Sequence, residues 1–299
     1  LAPARRATPR RYLMCPPVHF DPACSADPWT DGDGTADAAL ALAQWEKLRE
    51  VYRSLGHTVE ELPPDPALPG MVFTANGATV VDGRVFGARF ADPRWEPEAE
   101  LHLEWLAAHG FSRLHVPVHI NEGESDLAVT GSWLLAGHGF RTNPLAHGEA
   151  QEFFGRPVIG VQLTDRRFPR LGLALAVLDD TADEIAYYPP AFSPGSREVL
   201  RQLFPDALTV TEEDAAAFGL NAVSDGLHVV LPQTATGLYG PLRERGFEPV
   251  GVDLSELHKG GGSVKCCSLE LRDRPGRDDR EPHDRPGRDD PGTPRPTQP

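Results

Sequence analysis

The sequence predicts an α/β chain folded as a five-bladed, pseudo-symmetric ring of ββαβ units. Three observations predict it. Several segments repeat one order of elements, the units begin near residues 73, 126, 173, 220 and 266, and the last unit is split between the two ends of the chain. A repeat of roughly 45–55 residues is the size of one supersecondary unit that buries its apolar face only against its neighbours. A unit completed by the opposite terminus closes such a ring and leaves no free sheet edge. Periodicity alone leaves an open α/β sheet as the alternative.

The elements follow in order. Phe73 to Phe86 reads as a hairpin turning at Asp82-Gly83, a pair that accepts the positive φ of a tight hairpin. A helical stretch follows from Glu98 to His109, closed by Gly110, and then an apolar strand from Leu114 to Val118. The second unit places strands at Leu127–Thr130 and Trp133–Ala136, a helix at Pro144–Phe154 and a strand at Val158–Leu163. The third has strands Ala174–Leu178 and Ile185–Tyr188, helix Ser196–Phe204 and strand Leu208–Val210. The fourth opens at Asn221, turns at Ser224-Asp225-Gly226, and continues with strand Val229–Leu231, helix Ala235–Arg245 capped by Gly246, and strand Glu248–Val252. In the split fifth unit, Cys266–Leu271 supplies one strand. Arg11–Met14 supplies the second, Ala36–Leu55 the helix with Thr35 as N-cap, and Thr58–Leu62 the last strand. Closure turns the first strand of every unit toward a shared centre. Asn76, the Glu122 to Asp126 segment, Arg170 to Leu173, Asn221 and Cys266 then converge on one pocket.

The loop Gly260-Gly261-Gly262-Ser263-Val264-Lys265-Cys266-Cys267 carries the chemistry. Glycines let backbone approach a ligand closely, and a lysine beside a cysteine favours the nucleophilic thiolate. The alternative is a buried structural cysteine pair. A zinc role is poorly served, because two adjacent thiols make a poor tetrahedral set.

Composition sets the outer limits. With 40% hydrophobic and 24% charged residues, a normal core of a soluble protein is expected. Arg272 to Pro299 repeats Asp-Arg-Pro-Gly-Arg-Asp-Asp, balances seven Arg against seven acids and holds seven prolines. It has no large apolar side chain to anchor a core and reads as disordered. The domain reading is therefore a flexible N-terminus over 1–10, one catalytic domain over 11–271 and a disordered tail over 272–299. The net charge of −15 argues against a nucleic-acid partner. No apolar run is long enough for a membrane helix, and no apolar region follows the basic Leu1–Arg11 stretch to make a secretory signal. The four cysteines lack disulfide-framework spacing, which fits a cytoplasmic compartment.

These residues resemble a family. From about Arg11 to Arg272 the chain is similar to the guanidine-modifying enzymes, in their dimethylargininase (dimethylarginine dimethylaminohydrolase) and arginine deiminase–dihydrolase branch. The resemblance rests on Met71-Val72-Phe73-Thr74-Ala75-Asn76-Gly77-Ala78, Glu122-Gly123-Glu124-Ser125-Asp126, Gly139-Phe140-Arg141-Thr142, Ala174-Leu175-Ala176-Val177-Leu178-Asp179-Asp180, Asn221-Ala222-Val223-Ser224-Asp225-Gly226 and the Cys266 loop. It implies a five-bladed α/β propeller and hydrolysis of a C–N bond in a small-molecule arginine-type guanidine. A cysteine thiouronium intermediate would give a ureido product plus an amine or ammonia. It implies Cys266 as nucleophile and Glu122 as the carboxylate that holds the guanidinium, with Asp126 as the alternative. It implies Arg141, helped by Arg89, on the substrate carboxylate. Asn76 stands where an acid is usual, and Asp27, in Asp27-Pro28-Trp29-Thr30, where an asparagine is usual; both are taken as substrate-binding. No metal or organic cofactor is implied, and a homodimer is the assembly kept open.

One segment departs from the family. Phe168-Pro169-Arg170-Leu171-Gly172-Leu173 puts Arg170 where the resemblance places a catalytic histidine, and Gly172 where it places an aspartate. Arginine stays protonated and accepts no proton. Either water or another histidine, such as His119 or His138, replaces the lost base, or the chain binds an arginine-like ligand without turning it over.

Overall fold

Asp82 and Gly83 take φ of 50° and 70°, the conformation that lets two short strands fold back on each other. The hairpin they make, Ala78–Val81 with Arg84–Gly87, is extended in parallel by Arg113–His115. The same three-stranded pattern recurs throughout the computed structural model, which describes residues 4–24 and 35–273. The second sheet holds Leu127–Val129, Leu134–His138 and Val158–Gln162. The third holds Leu175–Asp179, Glu184–Tyr187 and Leu208–Thr209, and the fourth Val223–Ser224, His228–Pro232 and Glu248–Val252. The fifth is joined from both ends of the chain: Leu269–Glu270 lies antiparallel to Arg11–Met14, which lies parallel to Thr58–Glu61. In every sheet the antiparallel pair comes first and the parallel strand follows a crossover. The first strand of the third sheet touches those of the second and fourth, and that of the fifth touches that of the first. The architecture is the five-fold pseudo-symmetric α/β propeller expected from the repeat.

Each crossover helix buries one stripe between blades. In Ala38–Ser54 the buried residues are Ala41, Gln44, Trp45, Leu48 and Tyr52, the i, i+3, i+4, i+7, i+11 pattern of one helical face. The ring of Tyr52 stacks on Tyr12 of the neighbouring strand at 4.6 Å, and its hydroxyl pairs with Ser268 Oγ at 2.7 Å. Burying an aromatic or aliphatic side chain of this size contributes about 1.5–3 kcal/mol.

Several expected boundaries move. The N-cap of the first helix is Asp37, whose Oδ1 accepts from Ala39 N and Leu40 N, and not Thr35. A carboxylate is as good a cap as a hydroxyl, and propensity does not choose between neighbours. The strand expected over Leu114–Val118 pairs only as far as His115, because Pro117 offers no N–H and Val118 N donates to the Glu149 carboxylate instead. The helix expected over Ala235–Arg245 is a 3-10 turn at Thr236–Leu238 followed by Tyr239–Glu244. Cys266 and Cys267 lie in a turn, and the strand begins only at Leu269.

Both ends of the propeller are held by charge. The stretch 4–10, read from sequence as a flexible N-terminus, crosses onto other blades: Arg5 Nη2 donates to Glu184 at 2.6 Å and Arg10 to Asp180 at 2.8 and 2.9 Å. Arg272, grouped by sequence with the tail, is paired with buried Glu124 at 2.6 Å and with Glu270 at 2.8 Å. Residues 274–299 and Asp27 lie outside the described residues.

Candidate active site

Short helical turns stand ahead of the inner strands and aim the polar residues at the centre. Thr74–Asn76 precedes the first blade, Gly123–Ser125 the second and Leu171–Ala174 the third. They are stitched to one another: Ser125 Oγ donates to Asn76 Oδ1 at 2.6 Å, and Leu171 N donates to Asp126 Oδ1 at 2.8 Å.

Cys266 is buried, and Asn221 fixes it. The Asn221 amide donates from Nδ2 to Cys266 Sγ at 3.2 Å and to Gly172 O at 2.9 Å. Its Oδ1 accepts from Ser263 N at 3.0 Å and Cys266 N at 3.2 Å. One side chain thus holds the cysteine loop, the sulfur and the third-blade turn together. Lys265, expected to favour the thiolate, instead places Nζ 2.7 Å from the buried carboxylate of Glu124. The glycines also serve a different purpose from the one expected. A Cβ on Gly262 would fall 2.3 Å from the Phe73 ring, so the loop is glycine-rich because it packs against its own chain.

Glu122 faces two guanidinium groups. Arg170 Nε donates to its Oε2 at 2.6 Å, and Arg141 Nη1 lies 3.6 Å from Oε1. Arg170 is 7% exposed, so this contact is a desolvated, charge-assisted pair. Asp126 lies alongside, accepting from Thr142 Oγ1 at 2.6 Å. Burial, and then the charge of Glu122, push its carboxyl up to about 7. Arg89 is exposed with Nη1 directed at Pro117 O; its backbone pairs with Asn121, the residue before Glu122, but it does not line the cavity there. His119 and His138 are also absent from the walls of the cavity that Glu122, Arg170 and Asn76 bound. Those walls are completed by Phe73, Phe90, Trp95 and Glu98. The sequence places Asn221 on the shared pocket, ahead of an inner strand, but gives it no task, and helix-borne Glu98 carries no signal at all.

Glu98 is 5% exposed. Burial, then Glu122, push its carboxyl up to about 7 from an ordinary value near 4.5. The folded form therefore binds the proton more tightly than the unfolded chain. The associated stability is present below about pH 4.5 and is lost as pH rises through about 7. Glu98→Gln removes this loss. Thermal melts are expected to show the variant gaining on the parent between about pH 5 and pH 8, by on the order of 2 kcal/mol. A constant difference across that range would contradict the assignment.

Among the described residues, no group of three or more His, Cys, Asp or Glu is disposed to hold a metal ion, and no helix is long and apolar enough to cross a membrane.

No family model matches the chain. Individual proteins do. It is 51% identical over 272 residues to the N(G),N(G)-dimethylarginine dimethylaminohydrolase of Mycobacterium tuberculosis, covering 90% of this chain and 89% of that one. It is 31% identical over 267 residues to the bifunctional arginine dihydrolase/ornithine cyclodeaminase ArgZ of Synechocystis, covering 87% of this chain but 37% of that longer protein. The N-terminal domain of ArgZ, solved covalently bonded to a reaction intermediate, superposes with a TM-score of 0.84 at 30% identity over 88% of this chain and 98% of that domain. Sequence identity over nearly the whole length and the shared propeller lead to one conclusion: this chain belongs to the dimethylarginine dimethylaminohydrolase family of guanidine-modifying hydrolases.

Proposed function

We propose that the chain hydrolyses a C–N bond of an arginine-type guanidine through a covalent thiouronium on Cys266. The Cys266 sulfur attacks the guanidinium carbon and forms a C–S bond. The C–N bond to the departing amine breaks as that nitrogen takes a proton. Water then adds to the same carbon and the C–S bond breaks, which returns the thiolate and leaves a ureido product. Two easier displacements replace one hard one. Arg141 would take the carboxylate end of the substrate through its planar fork. Arg170, which stands where the resemblance places a histidine, supplies charge but moves no proton. The proton steps then fall to water.

The observation that carries this reading is the Asn221 clamp. It presents Cys266 Sγ from a fixed turn and ties it, through Gly172, to the segment whose Arg170 reaches Glu122. The covalently trapped ArgZ domain supports the same chemistry in a relative.

The test is incubation of the purified protein with arginine, methylarginines and agmatine, followed by assay of ureido product and intact mass. Product is expected, together with a transient adduct on Cys266. Cys266→Ser is expected to lower turnover by about 10⁴ or more, as removal of a nucleophile does elsewhere. Product formation that survives Cys266→Ser, or folded protein giving neither product nor adduct, would overturn the proposal.

A further inference from the structure

The cavity beside Glu122 contains a second acid whose purpose the mechanism above does not supply. Glu98 projects into it from the first turn of the helix Glu96–Ala108. Its side chain makes no hydrogen bond or ion pair with any described residue. It sits where Gly70 makes room for it: a Cβ on Gly70 would fall 2.8 Å from Glu98 Oε1. Glu122, in contrast, is already engaged by Arg170 at 2.6 Å. Phe73, Phe90 and Trp95 line the same cavity beside Asn76, with Phe90 and Trp95 edge to face at 6.2 Å.

A buried carboxyl without a partner is costly to keep, because the desolvation of the group is returned by nothing. A cation entering the cavity returns it. It pairs with the carboxylate, and the faces of Phe73, Phe90 and Trp95 add attraction to the ring quadrupoles. The rise of the Glu98 carboxyl toward neutrality is what such a site shows before the cation arrives.

We propose that Glu98 is a specificity-determining residue that receives the cationic head of the ligand, because the guanidinium of Arg170 already occupies Glu122. The assignment rests on the hydrolase reading and deepens it. The cavity becomes a two-acid subsite in which one acid is satisfied from within the chain and the other waits for substrate. The ligand class it selects is a guanidinium in preference to a neutral ureido group of the same shape.

Calorimetric binding to the full chain carrying Cys266→Ser tests this, with L-arginine as cation and L-citrulline as its neutral counterpart. Adding Glu98→Gln is expected to weaken arginine binding by about 10- to 100-fold, the scale of a hydrogen bond to a charged group, and to leave citrulline within about twofold. Glu98→Asp is expected to recover part of the loss. In an Arg170→His background, which returns Glu122 to the ligand, the same Glu98→Gln change is expected to cost less. Equal loss for both ligands would mark Glu98 as structural, and an unchanged preference would remove the assignment. In both cases arginine still binds and the hydrolase reading stands. If Cys266→Ser binds neither ligand, both fall together.

Discussion

Arg170→His combined with Gly172→Asp is expected to raise guanidine hydrolysis by about 10²–10⁴, the usual worth of a positioned general acid–base. Arg170 is buried against Glu122 with its Nε at 2.6 Å, so its charge lies where a substrate guanidinium would otherwise be held. Replacement by histidine does two things at once. It frees Glu122, and it places in the cavity a side chain whose proton comes and goes near neutral pH. Position 172 takes the companion acid only with a small adjustment. A Cβ there meets the backbone Ser125 O at 3.3 Å, so that turn must give by a few tenths of an ångström, while Asn221 Nδ2 and Lys265 Cγ lie at 3.8 Å, in ordinary contact. Steady-state kinetics across pH separate the two effects. Release of Glu122 lowers KM at every pH, whereas a new proton carrier adds a limb to kcat in the histidine range. A folded double variant with unchanged kcat would show that proton transfer already proceeds efficiently by another route.

The second large effect is on the scaffold. Gly123→Ala is expected to destabilise the protein by about 2–5 kcal/mol and to lower its melting temperature by about 5–15 °C. Gly123 has φ of +56°, and a Cβ there would fall 2.7 Å from Ala75 O and 2.8 Å from Ala78 N and O. Those atoms are backbone of the first blade and have no rotamer to yield. The substitution also displaces Glu122, the preceding residue, whose N–H donates to Thr142 Oγ1 at 3.2 Å. Loss of stability should therefore come with raised KM for guanidines. A variant that melts like the parent would mean that the contact between these blades is softer than its geometry.

The ring was legible because it is written in a period. Five copies of one buried-face pattern, the last divided between Arg11–Met14 and Leu269–Glu270, leave few other ways to cover every sheet edge. Cys266, Glu122, Asp126 and Asn76 were legible for the same reason, since each stands just ahead of an inner strand. What stayed hidden depends on contacts across the ring. Nothing local to Asn221 says that its amide holds a sulfur on one side and a carbonyl on the other. Nothing local to Lys265 says that its ammonium is drawn to Glu124 and away from the neighbouring thiol. Glu98 reads as an ordinary acid in the first turn of a helix, where the dipole favours one. Only the ring turns it inward.

The seam that closes the ring also sets a timetable. Tyr12 and Leu13 pair with Glu270 and Leu269, so the first strand made is completed by the last, and Cys266 sits in the turn that leads into that final strand. Such long-range pairing carries a large loop-closure cost and makes folding slow. A nascent chain can build four blades while still attached to the ribosome, but the Asn221 clamp has no cysteine loop to grip until residue 266 emerges. The thiol is therefore delivered to its clamp by the same event that closes the ring.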